Sequence, residues 1–191
     1  MRKIIVTVHS TLDGIMSGPK GDEDNMVSWA MPGIQDTTQI VQDSFDSVDT
    51  ILLGRVTYEG LAQYWPTASG EFADKMNLTP KIVVSKKGGL DHVEWGDYDN
   101  ISLINENVEE ELKKLKKQSG KDIMIFASSK LVQSLTNAYL MDEYRIIVHP
   151  VILGRGKGLL ENVEGRHDLH LKSATAYKSG AVMLQYVVAK K

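Results

Sequence analysis

The stretch DTILLGRVTYEGLAQYWP, residues 49–66, says most about the fold of this chain. Its apolar residues 51–53 predict a buried strand that ends at Gly54. Beyond the glycine, three apolar side chains share one side of a predicted helix: Tyr58, Leu61 and Trp65. Glycine lets a ligand approach the backbone, the start of a helix offers free N–H groups to a phosphate, and Arg55 and Thr57 add a cation and a hydroxyl. The stretch therefore predicts either a phosphate site or a plain strand–turn–helix joint with a surface arginine.

The composition is typical of one ordinary globular domain, residues 1–191, which is long enough to bury a core without disulfides or metals. A net charge of −3 gives no electrostatic footprint for nucleic acid. The chain has no cysteine, which excludes disulfides and thiolate metal sites and fits a reducing compartment. Its N-terminal apolar run is too short for a signal peptide, and no segment is long enough to span a membrane. We expect a cytoplasmic protein without nucleic-acid or membrane partners.

The order of predicted elements indicates an α/β fold. Apolar runs predict strands at residues 3–10, 50–53, 81–85, 101–104, 123–126 and 144–149, and a terminal hairpin at 170–177 and 181–189. Helices are predicted at 34–48, after 54, near 70–76, at 108–118 and after 128. The polar, glycine-rich residues 11–32 predict a long loop of the kind that carries function. Strands that alternate with helices and end in a hairpin predict a mostly parallel sheet with antiparallel strands at one side.

Six motifs in order give this chain a family resemblance. They are STLDG at 10–14, LGRVTYE at 53–59, YWP at 64–66, KIVVS at 81–85, DEYR at 142–145 and PVILGRGK at 150–157. Together they resemble the dihydrofolate reductase-like superfamily, in particular the reductase half of the riboflavin-biosynthesis deaminase-reductase. The resemblance implies a three-layer dihydrofolate reductase-like fold with a mostly parallel mixed sheet and a C-terminal antiparallel hairpin.

The same resemblance implies NADPH as the cofactor. Two segments beyond strand ends would hold its phosphates: Gly54, Arg55 and Thr57 in one, and Ser85, Lys86 and Lys87 in the other. Cations and hydroxyls suit a 2′-phosphate, whereas an NADH site more often places a carboxylate near the ribose. Taken without the resemblance, Lys86 and Lys87 could equally be two solvated lysines in a loop.

A third cofactor segment departs from the family pattern. Where the family supplies a glycine against the cofactor pyrophosphate, this chain has Ala127, Ser128 and Ser129. A helix start can still hold phosphate there, but the Cβ of Ala127 takes up room and puts the cofactor affinity in question. Four other residues are predicted to lie against the substrate or to form the wall of the site: Gly14, Trp29, Gly154 and Gly156.

Two carboxylates are candidates for the proton donor or substrate anchor. Asp13 follows the first strand at the ligand end of the sheet, but Asp-Gly is also a common turn in which the carboxylate bonds its own loop. Asp36 comes shortly after Trp29 and Pro32, a pattern that resembles the acid of dihydrofolate reductases but is displaced by a couple of residues. The alternative for Asp36 is an acidic residue near a helix start, where it suits the helix dipole.

Other chemistries find little support in the sequence. His167 and His170 would point to opposite faces of a strand, which is poor metal geometry, and we predict no metal site. The zinc signature of the family's deaminase half needs cysteine and is absent. The resemblance instead implies an enzyme, an NADPH-dependent oxidoreductase that transfers a hydride to a small pterin- or pyrimidine-like heterocycle. The alternative is a non-catalytic NADP(H)- or nucleotide-binding protein on the same fold.

The C-terminal strand predicts a homodimer. Apolar residues occur at both parities of residues 182–188, so neither face of this strand is expected to meet water. One face can cover the core of its own chain, and the other needs a helix or a second subunit, of which we expect the second subunit. The reductases of the resembled family tend to be homodimers as well.

Overall fold

The fold confirms the predicted class. The structure, a computed structural model, describes residues 1–18 and 26–189. Its strands are β1 (Ile4–Thr11), β2 (Ile15–Ser17), β3 (Val48–Gly54), β4 (Lys81–Val84), β5 (Ile101–Ile104), β6 (Asp122–Phe126), β7 (Glu143–His149), β8 (Lys157–Gly158), β9 (Leu169–Ala176) and β10 (Val182–Val188). Its helices are α1 (Met26–Ser44), α2 (Arg55–Leu61), α3 (Glu71–Leu78), α4 (Val108–Lys117) and α5 (Ser129–Asn137), with 3-10 turns at Phe45–Ser47 and Trp65–Thr67. Among the helices so described, none is long and apolar enough to cross a membrane.

One eight-stranded sheet organises the molecule, in the order β5-β4-β3-β6-β1-β7-β10-β9. The pairs from β5 to β7 are all parallel, while β10 runs antiparallel to β7 and β9 antiparallel to β10. The terminal hairpin thus adds its two strands at one side, as predicted. A separate pair, β2 with β8, lies beyond the end of β1. Six parallel strands bring six carboxyl ends to one edge of the sheet.

Helices cover both faces of the sheet. Alternate residues of β1 (Ile4, Val6 and Val8) pack in one cluster with Leu112 of α4 and Val132 of α5. This parity is the ordinary consequence of a strand whose successive side chains point to opposite faces. On the opposite face, α1 and α3 cover the sheet in two smaller clusters. The sheet is therefore the middle of three layers.

The predicted loop at 11–32 is wrong over its last part, because α1 begins at Met26 and runs through Pro32. The sheet side of α1 shows why the helix extends so far: Trp29, Gly33, Thr37 and Val41 recur every four residues and face β7 or lie in the core. The helix also ends earlier than predicted, since Phe45 lies in a 3-10 turn and Val48 opens β3. The acidic residues 22–24 of the predicted loop lie outside the described residues.

Candidate cofactor and substrate site

The three predicted cofactor segments lie side by side at the carboxyl edge of the sheet. Gly54 pairs with Val84 at the end of β4, and Leu52 pairs with Ile125 near the end of β6. The turns that follow these three neighbouring strands are therefore adjacent. They carry the predicted residues 54–57, 85–87 and 127–129, which the structure brings together.

Gly54 is needed for the close approach of two of these turns. Its backbone angles, φ −78° and ψ 153°, are open to any residue, so conformational freedom does not explain the glycine. A Cβ at this position would overlap Ser128 Oγ and lie 3.3 Å from Ser128 Cβ. Because Gly54 has no side chain, the turn before α2 can lie in direct contact with the turn before α5.

The turn before α5 holds two consecutive left-handed residues that are not glycine. Ala127 has φ +57° and Ser128 has φ +83°. The left-handed conformation costs an L-residue about 1–2 kcal/mol, so this turn stores strain at the place where the resemblance implies glycine. Within the described chain, the Ser128 side chain makes no capping bond to the α5 amides. The first N–H groups of this nine-residue helix are therefore left for another acceptor.

Two of the cations around these turns, Arg55 and Lys87, form surface ion pairs. Arg55 Nη1 lies 2.8 Å from Glu59 Oε1, with both side chains nearly half exposed, and Lys87 Nζ lies 2.8 Å from Glu106 Oε1. Exposed pairs of this kind contribute about 0–1 kcal/mol, so a phosphate can replace the carboxylate partner at little cost. Lys86 is exposed, and Thr57 is half-buried in the first turn of α2. Ser85 is buried and donates to the Lys86 carbonyl at 3.2 Å.

Asp13 is fully occupied in holding its own loop. Its carboxylate accepts from Thr11 Oγ1 at 2.5 Å and from the Gly154 amide at 2.7 Å. The Thr11 hydroxyl, followed by the Gly154 N–H, lowers the pKa of Asp13 below its ordinary value. A carboxylate held in its ionised form is a poor source of protons, and this geometry favours the loop-holding alternative.

The predicted wall glycines lie around this loop. Gly14 has φ +78° and Gly154 has φ +73°, the left-handed region that favours glycine. A Cβ on Gly156 would overlap the Ser17 carbonyl oxygen, because β8 pairs with β2 next to it. The three glycines therefore join the turn after β1 to the loop before β8, at the ligand edge of the sheet.

Asp36 lies at the other side of this edge, beside the turn between β9 and β10, which β1 and β7 separate from the strands of the cofactor turns. It is in the middle of α1, so its interpretation as a residue near a helix start is wrong. Its Oδ2 accepts from the Ser179 amide at 2.7 Å, and this bond lowers the pKa of Asp36. The carboxylate ties α1 to the turn between β9 and β10 and does not join the cofactor segments.

The sequence reasoning missed a polar cluster on the α1 face of the sheet. His9 Nδ1 and His149 Nε2 lie 2.9 Å apart in a hydrogen bond between neighbouring strands. The edge of the Trp29 ring meets His149, with 5.3 Å between the ring centroids and an interplanar angle of 80°. We call Thr7, His9, Trp29 and His149 the histidine cluster. The signal in the sequence was the alternation of Thr7 and His9 with the apolar residues Val6 and Val8 of the same strand.

Burial keeps both imidazoles neutral. Desolvation, with a smaller effect of the neighbouring ring, lowers the pKa of His9 to about 4. Desolvation also lowers the pKa of His149, which is only 1% exposed. Near neutral pH one ring donates the shared proton and the other accepts it.

Two donors of the histidine cluster lack partners. Thr7 Oγ1 and Trp29 Nε1 are buried and have no hydrogen-bond partner among the residues that the structure describes. A buried polar group without a partner costs about 1–3 kcal/mol, so native proteins rarely keep one without a use. In the same described ranges, no group of three or more histidine, aspartate or glutamate side chains could hold a metal ion.

Comparisons with known proteins agree with this geometry. The family model described as the RibD C-terminal domain matches residues 2–183. The uncharacterized protein YyaP of Bacillus subtilis (strain 168) is 36% identical over 186 residues, which cover 97% of this chain and 94% of that protein. A putative riboflavin biosynthesis protein from Shewanella sp. PV-4 has a similar structure, with a TM-score of 0.72, 16% identity and coverage of 98% of this chain and 99% of that chain.

A second solved structure extends the likeness to a cofactor complex. The dihydrofolate reductase of Enterococcus faecalis, complexed with NADP(H) and RAB-propyl, has a TM-score of 0.62 to this chain. It is 13% identical and covers 98% of this chain and 97% of that chain. At such identities the solved structures show a shared fold.

Proposed function

Because the chain belongs to the RibD C-terminal domain family, we propose that it is a reductase that transfers a hydride from NADPH to a small pterin- or pyrimidine-like heterocycle. The family match and the shared fold confirm the resemblance predicted from the motifs. The observation that carries the proposal is the meeting of three phosphate-compatible turns at one edge of the sheet, one strand away from the histidine cluster.

The residues at this edge fit the cofactor. Arg55, Lys86 and Lys87 would meet a 2′-phosphate, since their exposed or exchangeable charges surround the turns after β3 and β4. The uncapped amides of α5, next to Ala127 and Ser128, would hold the pyrophosphate. NADPH supplies the hydride when bound, and the task of the chain is to bind, orient and exclude water.

The substrate would lie over the carboxyl half of β1. Thr7 pairs with Phe126, the residue before the Ala127 turn, so this part of β1 is one strand spacing, about 4.8 Å, from the cofactor turn. A heterocycle placed there would have the cofactor on one side and α1 on the other. The half-buried His9 and Trp29 would mark the way in from solvent.

The alternative function is NADP(H) or nucleotide binding without catalysis. It is favoured by the Cβ of Ala127 at φ +57°, which takes up room in the pyrophosphate turn. It is favoured also by the two candidate carboxylates, Asp13 and Asp36, both of which bond backbone amides. Such a protein would bind the cofactor and leave it unoxidised.

One measurement tests the cofactor assignment, and a second separates the two functions. Fluorescence titration should show tighter binding of NADPH than of NADH, and Arg55→Ala should weaken NADPH binding by about 1–3 kcal/mol, the value of a charge-assisted bond. Oxidation of bound NADPH with a pterin or pyrimidine substrate would support the reductase. Equal affinities for the two cofactors, with no loss in the Arg55 variant, would contradict the cofactor assignment.

A further inference from the structure

The histidine cluster contains buried hydrogen-bonding groups that no residue of the described chain uses. Thr7 is only 6% exposed, and its hydroxyl has no partner in the described part of the chain. The indole N–H of Trp29 is also buried and has no hydrogen-bond partner among the described residues. Two unpaired polar groups on one face, beside a paired imidazole, indicate a ligand that presents hydrogen-bonding atoms to all three.

The histidine pair offers that ligand an adaptable, uncharged group. His9 Nδ1 is used in the bond to His149, so His9 Nε2 is the nitrogen left on the half-buried ring. If His9 accepts the shared proton, its Nε2 carries a hydrogen and donates; if His9 gives the shared proton, its Nε2 accepts. The separation of 2.9 Å is that of a hydrogen bond, so the two nitrogens face each other and not a common ion.

Charges near the cluster are compensated. Arg145 lies opposite Thr7 in the pairing of β1 with β7, and its Nε donates to Glu143 Oε1 at 2.7 Å. That bond draws the guanidinium toward the start of β7, away from His9 at the carboxyl half of β1. The four members of the cluster (Thr7, Trp29 and the two neutral imidazoles) carry no charge at neutral pH.

We propose that the histidine cluster binds the substrate through an uncharged lactam edge, a ring carbonyl next to a ring N–H. The carbonyl accepts from Trp29 Nε1 or Thr7 Oγ1, and the ring N–H donates to His9 Nε2 or to the Thr7 hydroxyl. Pyrimidine-like and pterin-like heterocycles both contain this edge. That the bound heterocycle is a substrate rests on the proposed reductase function, whereas the recognition of the edge rests on the cluster alone.

The test uses the full-length protein and three probes. Uracil and pterin carry the lactam edge, and a uracil methylated at both ring nitrogens lacks the ring N–H. Isothermal titration calorimetry, with and without NADP⁺, should detect both unmodified bases and a weaker binding of the methylated one. Absence of binding of both bases, or equal binding of the methylated uracil, would overturn the proposal.

Thr7→Val is the decisive variant, because a structural role and a ligand role predict different results. Removing an unpaired buried hydroxyl should leave the melting temperature unchanged or raise it. Loss of one hydrogen bond to the ligand should weaken uracil binding roughly three- to tenfold. Trp29→Phe should weaken binding by a similar factor. Unchanged affinity in both variants would overturn the proposal.

Matched controls come from other parts of the fold. Thr136→Val removes a buried hydroxyl that bonds the Val132 carbonyl and Tyr144 on the opposite face, so it should lower the melting temperature and leave uracil binding unchanged. His9→Gln should weaken binding, whereas His92→Gln, at an 81% exposed side chain, should not.

Titration of NADPH into the same samples keeps the two proposals apart. If the protein binds the bases in a way that depends on Thr7 but binds no NADPH, the result would support ligand binding by the histidine cluster and contradict the reductase function. If Thr7→Val and His9→Gln oxidise NADPH as fast as the unchanged protein does, the result would support the reductase function and contradict substrate binding by the histidine cluster.

Discussion

The contact between the two cofactor turns can be measured by placing a methyl group at Gly54. In Gly54→Ala the new Cβ overlaps Ser128 Oγ and lies 3.3 Å from Ser128 Cβ and 3.6 Å from Leu131 Cβ. Overpacking of this kind costs about 1–3 kcal/mol. Because φ −78° and ψ 153° suit alanine, the lower backbone entropy of the unfolded chain returns about 0.4–1 kcal/mol. We expect a net loss of about 1–2 kcal/mol in the free energy of unfolding.

A double-mutant cycle with Ser128→Gly isolates this contact. Glycine at 128 removes both Oγ and Cβ and suits φ +83°, so the second variant should fold well. In that background Gly54→Ala should stabilise the protein by about 0.4–1 kcal/mol, so the coupling energy from urea denaturation should equal the overpacking cost of about 1–3 kcal/mol. Gly60→Ala, in α2 with no atom within 4 Å of the new Cβ, is the control and should stabilise the protein by up to about 1 kcal/mol. An equal cost of Gly54→Ala in both backgrounds would refute the contact between the turns.

Three further predictions concern affinity, pH and assembly. Ala127→Gly should relieve the strain at φ +57° and tighten NADPH binding in a fluorescence titration, and weaker binding would show that the cofactor does not pass this turn. His9, with a folded pKa of about 4 against an ordinary value of 6.5, should support stability above pH 6.5 and lose up to about 3 kcal/mol of it as the pH falls to 4. Chemical denaturation at several pH values should show this loss. The decrease in the free energy of unfolding with falling pH should persist in His92→Gln and become smaller in His9→Gln. We also propose a homodimer through the hairpin, because β9 is exposed along nearly its whole length and includes Leu171 at 57% exposure. Light scattering should give about twice the chain mass of 21.2 kDa, and a monomer mass at micromolar concentration would contradict it.

Much of the cofactor edge could be predicted from the sequence, because it depends on local patterns. Apolar runs followed by glycine, serine or lysine mark strands that end in polar turns, and parallel strands bring such turns together. The meeting of Gly54 with Ser128 needed only the strand order in addition. The strained backbone angles at Ala127 could not be predicted, since alanine rarely adopts a left-handed conformation.

Long-range register explains most of what the sequence did not reveal. His9 and His149 are 140 positions apart, and their bond depends on the alignment of β1 with β7 to the residue. The bond of Asp36 to the Ser179 amide was not predicted, because the direction of its side chain depends on the phase of α1, and Pro32 obscured the start of that helix. No local motif contains either piece of information.

The absence of a side chain at residue 33 sets how deep the histidine cluster can be. A Cβ on Gly33 would overlap His149 Cε1 and lie 2.7 Å from Nδ1 and 3.0 Å from Ala181 Cβ, so α1 rests on the imidazole at this point. Glycine at position 33 therefore lets α1 pack directly against the sheet. A larger residue there would push the helix outward and widen the space over β1 without altering any hydrogen-bonding group. The range of ring sizes admitted could thus change through one position that itself touches no ligand.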